Sequence, residues 1–168
     1  MGFVGVYDLE ISKNRFPQLV RTNDTVIEES EKIHTIDTAV DMIETVFQAS
    51  KKAEETLYML SIDCRGKIKG AFVISKGSIS GTVINMKGIF TRALLSGAEG
   101  IILAHNHPSG EAHISRDDKG CIEHVWKMCN TMELDLIDFF VIGNNEFVSS
   151  RDLICELKER NKENGSKI

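Results

Sequence analysis

The sequence predicts an α/β domain, a mixed β-sheet flanked by helices. Three observations lead there. Stretches with helical period alternate with short apolar runs of strand length, no internal repeat interrupts the alternation, and 168 residues with 42% apolar and 27% charged content suit one globular core. With 13 Gly and only 2 Pro, collagen, disorder and small disulfide scaffolds are excluded.

The elements follow in order. Residues 1–34 read as an N-terminal arm, with one edge strand near Phe16 to Arg21 ahead of the acidic run Glu28-Glu29-Ser30-Glu31. The domain proper is expected over residues 35–160. Ile36, Val40, Ile43 and Phe47 recur at spacings of four, three and four, which predicts a helix to about Ser50, capped by Thr35 or Asp37. Glu55 to Asp63 and Ile68 to Ser75, joined by Arg65-Gly66-Lys67, read as a hairpin. After a looser stretch from Gly77 to Gly81, Ile89, Phe90, Ala93 and Leu94 mark a helix stopped by Gly97. Gly100 to Ala104 is an apolar run of the kind that forms a strand covered on both faces. Ser115 then caps a helix with the stripe Asp118, Ile122, Val125, Trp126 and Cys129. Leu134 to Ile142 reads as a buried strand, Phe147-Val148 as a short return strand, Arg151 to Lys162 as a closing helix, and residues 161–168 as a frayed tail.

The formal charge of -5 repels phosphate backbones and gives no support to non-specific nucleic-acid binding. No apolar run approaches the roughly 20 residues of a spanning helix, so no membrane role is expected. The start, Met1 to Val6, lacks the pattern of a signal peptide, and Val6 stands where a myristoylation motif needs Ser or Thr, so a cytoplasmic location is expected. The cysteines at 64, 121, 129 and 155 have no Cys-x-x-Cys spacing and read as buried free thiols.

The chemistry is concentrated between His105 and Asp118, in the run HNHPSGEAHISRDD. If the strand stays extended through His107, His105 and His107 project to one face with Cα atoms roughly 6.5 Å apart. Pro108 ends the ladder, Ser109-Gly110 turns the chain, and the helix capped by Ser115 brings Asp118 round in its first turn. Two imidazoles and a carboxylate leave a fourth tetrahedral position open, the arrangement of a catalytic zinc site. A base is also required, and Glu54 and Glu55 both qualify, at the start of an adjacent strand.

Blander readings compete. Asp118, three residues after Ser115, could simply close a capping box, although Asp is short for that position. A His-x-His pair alone is more often a loop or core pair than a ligand pair. His113 and His124 read as surface or packing residues and Trp126 as core. The letters HNH do not make an HNH nuclease, whose residues are dispersed over a ββα unit. A zinc deaminase would need His-x-Glu and Pro-Cys-x-x-Cys, and neither occurs. Gly77, Ser78 and Gly81 lack the Gly-Lys-Ser/Thr ending of a phosphate loop.

Together, His105-x-His107-Pro108, six residues, Ser115, two residues and Asp118 resemble the signature of the JAMM (MPN+) metalloprotease domain, and the run LAHNHPSG with Val141-Ile142-Gly143 resembles RadC-like members from about Glu55 to Asp152. The resemblance implies a three-layer, cytidine-deaminase-like fold, Zn2+ on His105, His107 and Asp118, Ser115 as the serine that hydrogen-bonds the oxyanion, and a peptide or protein substrate cleaved at a peptide or isopeptide bond. It also implies Glu55 as the water-activating glutamate, since the family places that residue eight before the Asp of a Leu-Asp pair, here Ile62-Asp63. Glu54 is the weaker candidate. Two departures stand out: Asn85-Met86-Lys87-Gly88 replaces the common His-Pro-Arg-Glu, and Asp138-Phe139 replaces Asp-His, which puts substrate contacts in doubt.

The helix-hairpin-helix of longer relatives is not recognisable before Glu55. The alternative reading is a DNA-repair-associated accessory module with little or no hydrolysis, in which Lys67, Lys69, Lys76, Lys87 and Arg92 would form the basic face.

Overall fold

A computed structural model describes residues 2–27, 32–77 and 84–165. The acidic run Glu28 to Glu31 and the looser stretch Ser78 to Gly81 lie outside them. The described residues form a mixed seven-stranded sheet flanked by four α-helices, as the alternation of patterns predicts. In chain order these are β1 (Gly2–Ile11), β2 (Pro17–Ile27), α1 (Ile36–Phe47), β3 (Thr56–Ile62), β4 (Ile68–Lys76), α2 (Met86–Ser96), β5 (Gly100–Asn106), α3 (Arg116–Thr131), β6 (Asp135–Ile142), β7 (Phe147–Ser149) and α4 (Arg151–Gly165). Across the sheet the strands run β2-β1-β4-β3-β5-β6-β7, with the β1–β4 and β5–β6 pairs parallel and the rest antiparallel.

Alternation along each central strand sorts its side chains between two layers of helix. Tyr58, Leu60, Ile62, Ile102 and Ala104 face α1, whose Ala39, Val40, Ile43 and Phe47 cover them. Leu57, Met59, Ile101 and Leu103 face the other way, against Ile89 and Ala93 of α2, Ile122, Val125 and Cys129 of α3, and Ile154 of α4. The domain is therefore three layers deep. Every residue of β3 and of β5 is buried, which is why Gly100 to Ala104 reads as a continuous apolar run and Glu55 to Asp63 alternates only imperfectly.

The caps behave as their residue types require. The Thr35 hydroxyl accepts the Thr38 N–H at 3.2 Å to start α1, and Gly97 ends α2 in the left-handed conformation (φ 65°) that glycine adopts without a Cβ penalty.

Three expectations need correction. The segment read as an arm with one edge strand supplies two, because β1 and β2 form a long hairpin whose β1 joins β4 through Val6 and Ala71. β2, which contains the expected Phe16–Arg21 strand except for Phe16, is the sheet edge. At the other end, α4 continues as helix to Gly165, through residues expected to fray. Finally, only Cys121 and Cys129 are buried; Cys64 and Cys155 are exposed, and all four are free. No helix among the described residues is long and apolar enough to cross a membrane.

Candidate metal centre

The site sits where β5 ends. Because His105 shares a parity with Ile101 and Leu103, its side chain falls on the α3 side of the sheet, while Asn106 falls on the opposite side. The extended conformation persists one residue past the strand, since the His107 N–H donates to the Ile142 carbonyl at 2.8 Å. His107 thus returns to the face of His105. Pro108 has no N–H to continue the ladder, and the chain turns as the Gly110 N–H donates to the His107 carbonyl at 2.9 Å.

Asp118 comes from the first turn of α3, where two roles coincide. The Ser115 hydroxyl accepts the Asp118 N–H at 3.1 Å, and Asp118 Oδ2 accepts the Ser115 N–H at 2.8 Å. This is a complete capping box in which Asp suffices. The same carboxylate faces the histidines, with Oδ1 3.4 Å from His105 Nε2 and Oδ2 3.8 Å from His107 Nε2. The two imidazole Nε2 atoms are 2.9 Å apart. One donor atom from each residue lies within 4.8 Å of the others.

These separations suit a metal ion. The edges of a tetrahedral site with zinc-like bonds of about 2.0–2.1 Å are roughly 3.3 Å long. The Nε2–Nε2 separation of 2.9 Å and the His105 Nε2–Asp118 Oδ1 separation of 3.4 Å lie close to that value.

The protonation states agree. His107 Nδ1–H donates to the Glu111 carbonyl at 3.0 Å, an acceptor only, which leaves the Nε2 lone pair facing the site. Burial pushes the His105 pKa down to about 4, against the opposing charges of Asp118 and Glu55, so His105 is neutral and a competent ligand at pH 7. Its Nδ1 is a buried nitrogen without a hydrogen-bond partner, and its ring stands edge-on to Phe139 at 5.5 Å between centroids. Cys121 is buried nearby with its thiol pushed up to about 12, first by desolvation and then by Asp118, and it is not among the residues of the cluster.

Glu55 lies immediately before β3, half-buried, and its charge is felt at His105. Its carbonyl accepts the Gly77 N–H at 2.8 Å. Glu54, the weaker candidate, is exposed. Sequence reasoning missed what holds this segment. The Asn106 carboxamide, 1% exposed, accepts the Thr56 N–H at 3.0 Å and donates to the carbonyls of Lys52 and Glu54 at 3.1 and 3.2 Å. The residue between the two histidines thereby ties the Glu55 segment to the strand that carries them. The available signal was parity: a buried Asn on the opposite face of a strand must find partners for both ends of its amide.

The remaining residues singled out in the sequence are placed as follows. His124 is exposed and Trp126 half-buried against the α3 side of the core, as expected. His113 is exposed but closer to the site than its spacing suggested, its ring 5.2 Å from that of His107. Asn85 caps α2 by accepting the Gly88 N–H at 2.8 Å, and Lys87 is exposed in the first turn of that helix. The five basic residues do not make one face beside the site. Thr56 pairs with Lys76 and Ile62 with Ile68, so Lys76 is at the site end of the sheet while Lys67 and Lys69 are at the far end, with β4 extending roughly 3.3 Å per residue between them.

Comparisons with known proteins place the chain in a family. The family model described as RadC-like JAB domain matches residues 33–155, well over half of the chain. The chain belongs to the RadC-like JAB domain family. Among relatives of this RadC-like chain, a UPF0758 protein of Clostridium perfringens is 31% identical over 99 residues, 59% of this chain and 44% of the relative. A UPF0758 protein of Methanosarcina mazei is 26% identical over 136 residues, 80% of this chain and 58% of the relative. One from Chlorobaculum tepidum is 32% identical over 101 residues, 60% of this chain and 46% of the relative. The RadC-like chain thus spans about half the length of the curated relatives it matches. The matched region begins after the β1–β2 hairpin and includes all three candidate ligands.

Proposed function

We propose that this RadC-like domain is a zinc-dependent hydrolase acting on a peptide or isopeptide bond of a peptide or protein substrate. The observation that carries the reading is the convergence of His105, His107 and Asp118. Their donor set, two neutral nitrogens and one carboxylate, is that of zinc sites with one position open to chemistry. Bound there, Zn2+ would supply Lewis acidity, polarising a carbonyl and bringing the pKa of water to about 7.

The protein's own groups account for the rest. His107 and Asp118 are oriented by backbone partners before any ligand arrives, which avoids reorganisation during reaction. Glu55 takes the proton of the attacking water and returns it to the leaving amine, work that suits a half-buried carboxylate just before β3, the strand that pairs with β5 through Leu57 and His105. Ser115 uses a lone pair for the Asp118 N–H, which leaves its hydroxyl proton to donate to the developing oxyanion. The rival reading, a DNA-associated accessory module, loses support because its proposed basic face is split between the two ends of the sheet.

The test is elemental analysis of purified chain, followed by a peptide and isopeptide library assayed with wild type and Glu55→Gln. Stoichiometric zinc with Glu55-dependent cleavage is expected. A metal-replete preparation that neither contains nor takes up zinc would overturn the assignment. So would micromolar binding of duplex DNA at physiological salt that is lost on Lys67→Glu/Lys69→Glu, with no zinc-dependent cleavage.

A further inference from the structure

We infer that Glu146 tunes His107 as a metal ligand through one peptide group, the Glu111–Ala112 amide; the inference rests on the metal-centre reading above. The two ends of that planar amide are occupied on opposite sides. Its N–H donates to Glu146 Oε1 at 2.6 Å, and its C=O accepts His107 Nδ1–H at 3.0 Å. An amide is a resonance unit, so a carboxylate drawing on the N–H increases electron density at the oxygen. The Nδ1–H···O bond strengthens in turn, and Nε2 becomes a better donor toward the site. Carboxylates commonly act on metal-bound histidines by direct hydrogen bond. Here the carboxylate acts one peptide further out.

Geometry separates this role from simple loop anchoring. The turn between β6 and β7 grips the loop through its backbone, since the Asn144 N–H donates to the Gly110 carbonyl at 2.7 Å. A Cβ on Gly143 would fall 2.8 Å from the Ala112 nitrogen, so only glycine admits this approach. The Gly143 N–H closes the same turn on the Glu146 carbonyl at 2.9 Å. All these contacts use backbone groups and survive a change of the Glu146 side chain. Glu146 is a positioning residue: it lies outside the cluster of candidate ligands and acts through the amide.

The experiment compares four full-length chains, wild type, Glu146→Gln, Glu146→Ala and Glu111→Gln, by Zn2+ and Co2+ affinity in chelator competition, with the thermal midpoint of each metal-free form. Glu146→Gln keeps a neutral acceptor for the Ala112 N–H and removes only the charge. Glu111→Gln removes a charge of the same sign from the same loop and leaves the relay intact. The expected result is affinity weakened about 3-fold or more in Glu146→Gln and about 10-fold in Glu146→Ala, less than outer-shell losses of up to 100-fold. Glu111→Gln should stay within about 2-fold of wild type, and the metal-free midpoints of wild type and Glu146→Gln should coincide. Wild-type affinity in Glu146→Gln overturns the inference alone, as does an equal loss in Glu111→Gln, which would mean through-space charge. A wild-type chain that binds neither ion overturns it together with the metal centre.

Discussion

Asp118 closes the capping box of α3 with Ser115 using the same carboxylate whose Oδ1 stands 3.4 Å from His105 Nε2. The local device that starts the helix also aims a candidate ligand, so stability and metal affinity are coupled at this position and can be separated by substitution.

Asp118→Asn retains an oxygen to accept the Ser115 N–H, whereas Asp118→Ala loses that bond and keeps only the one from its own N–H to the Ser115 hydroxyl. Both should lose bound metal, but only Asp118→Ala should also lose about 1 kcal/mol of metal-free stability, the usual net worth of one hydrogen bond. Denaturant melts beside metal content measure this, and equal metal-free stabilities for the two variants would contradict it.

Glu55→Gln should retain zinc, because Glu55 is outside the ligand cluster, and lose hydrolysis by about 10²–10⁴-fold, the range of general-base catalysis. Loss of metal with retained turnover would show that the roles of Glu55 and the ligands are reversed.

His105 gives the metal-free protein a defined acid response. Its folded pKa of about 4 lies below the ordinary imidazole value of 6.5, because burial disfavours the imidazolium. The unfolded chain therefore binds the extra proton first. Stability from this group is fully present above about pH 6.5, declines as pH falls and levels off below about pH 4, a loss on the order of 3 kcal/mol at most. Urea midpoints between pH 7 and pH 4 for wild type and His105→Asn should converge toward low pH; parallel curves would rule the effect out.

Asn106→Ala removes the acceptor for the Thr56 N–H, a bond buried in the structure, and should cost about 1–3 kcal/mol, as an orphaned buried donor does. Asn106→Asp restores that acceptor but sets a carboxylate against the Lys52 and Glu54 carbonyls, so it should not rescue. Wild-type stability in Asn106→Asp would show that the two donated bonds contribute nothing.

Most elements were legible because their signals lie within a few consecutive residues. The spacing of Ile36, Val40, Ile43 and Phe47 defines the buried face of α1, and Gly97 ends α2 by its own backbone freedom. The cluster of candidate ligands was legible for the same reason. Strand parity places His105 and His107 together, and a capped first turn presents Asp118, each within a short stretch of chain. The β1–β2 hairpin was less legible, since Gly2 and Gly5 interrupt the alternation of β1 and its place in the sheet comes from β4, some sixty residues later.

The sequence by itself determined the α/β class, the strand-loop-helix span of the site and its three candidate ligands, because periodicity, caps and turns are properties of neighbouring residues. Only the tertiary structure decided that Asn106 holds the Glu55 segment, that Glu146 reaches the Ala112 amide, that Phe139 stands against the His105 ring, and that Lys69 and Lys76 lie at opposite ends of the sheet. Those relations depend on strand order and register, which bring distant residues within hydrogen-bond reach and leave no mark in the local pattern of either partner.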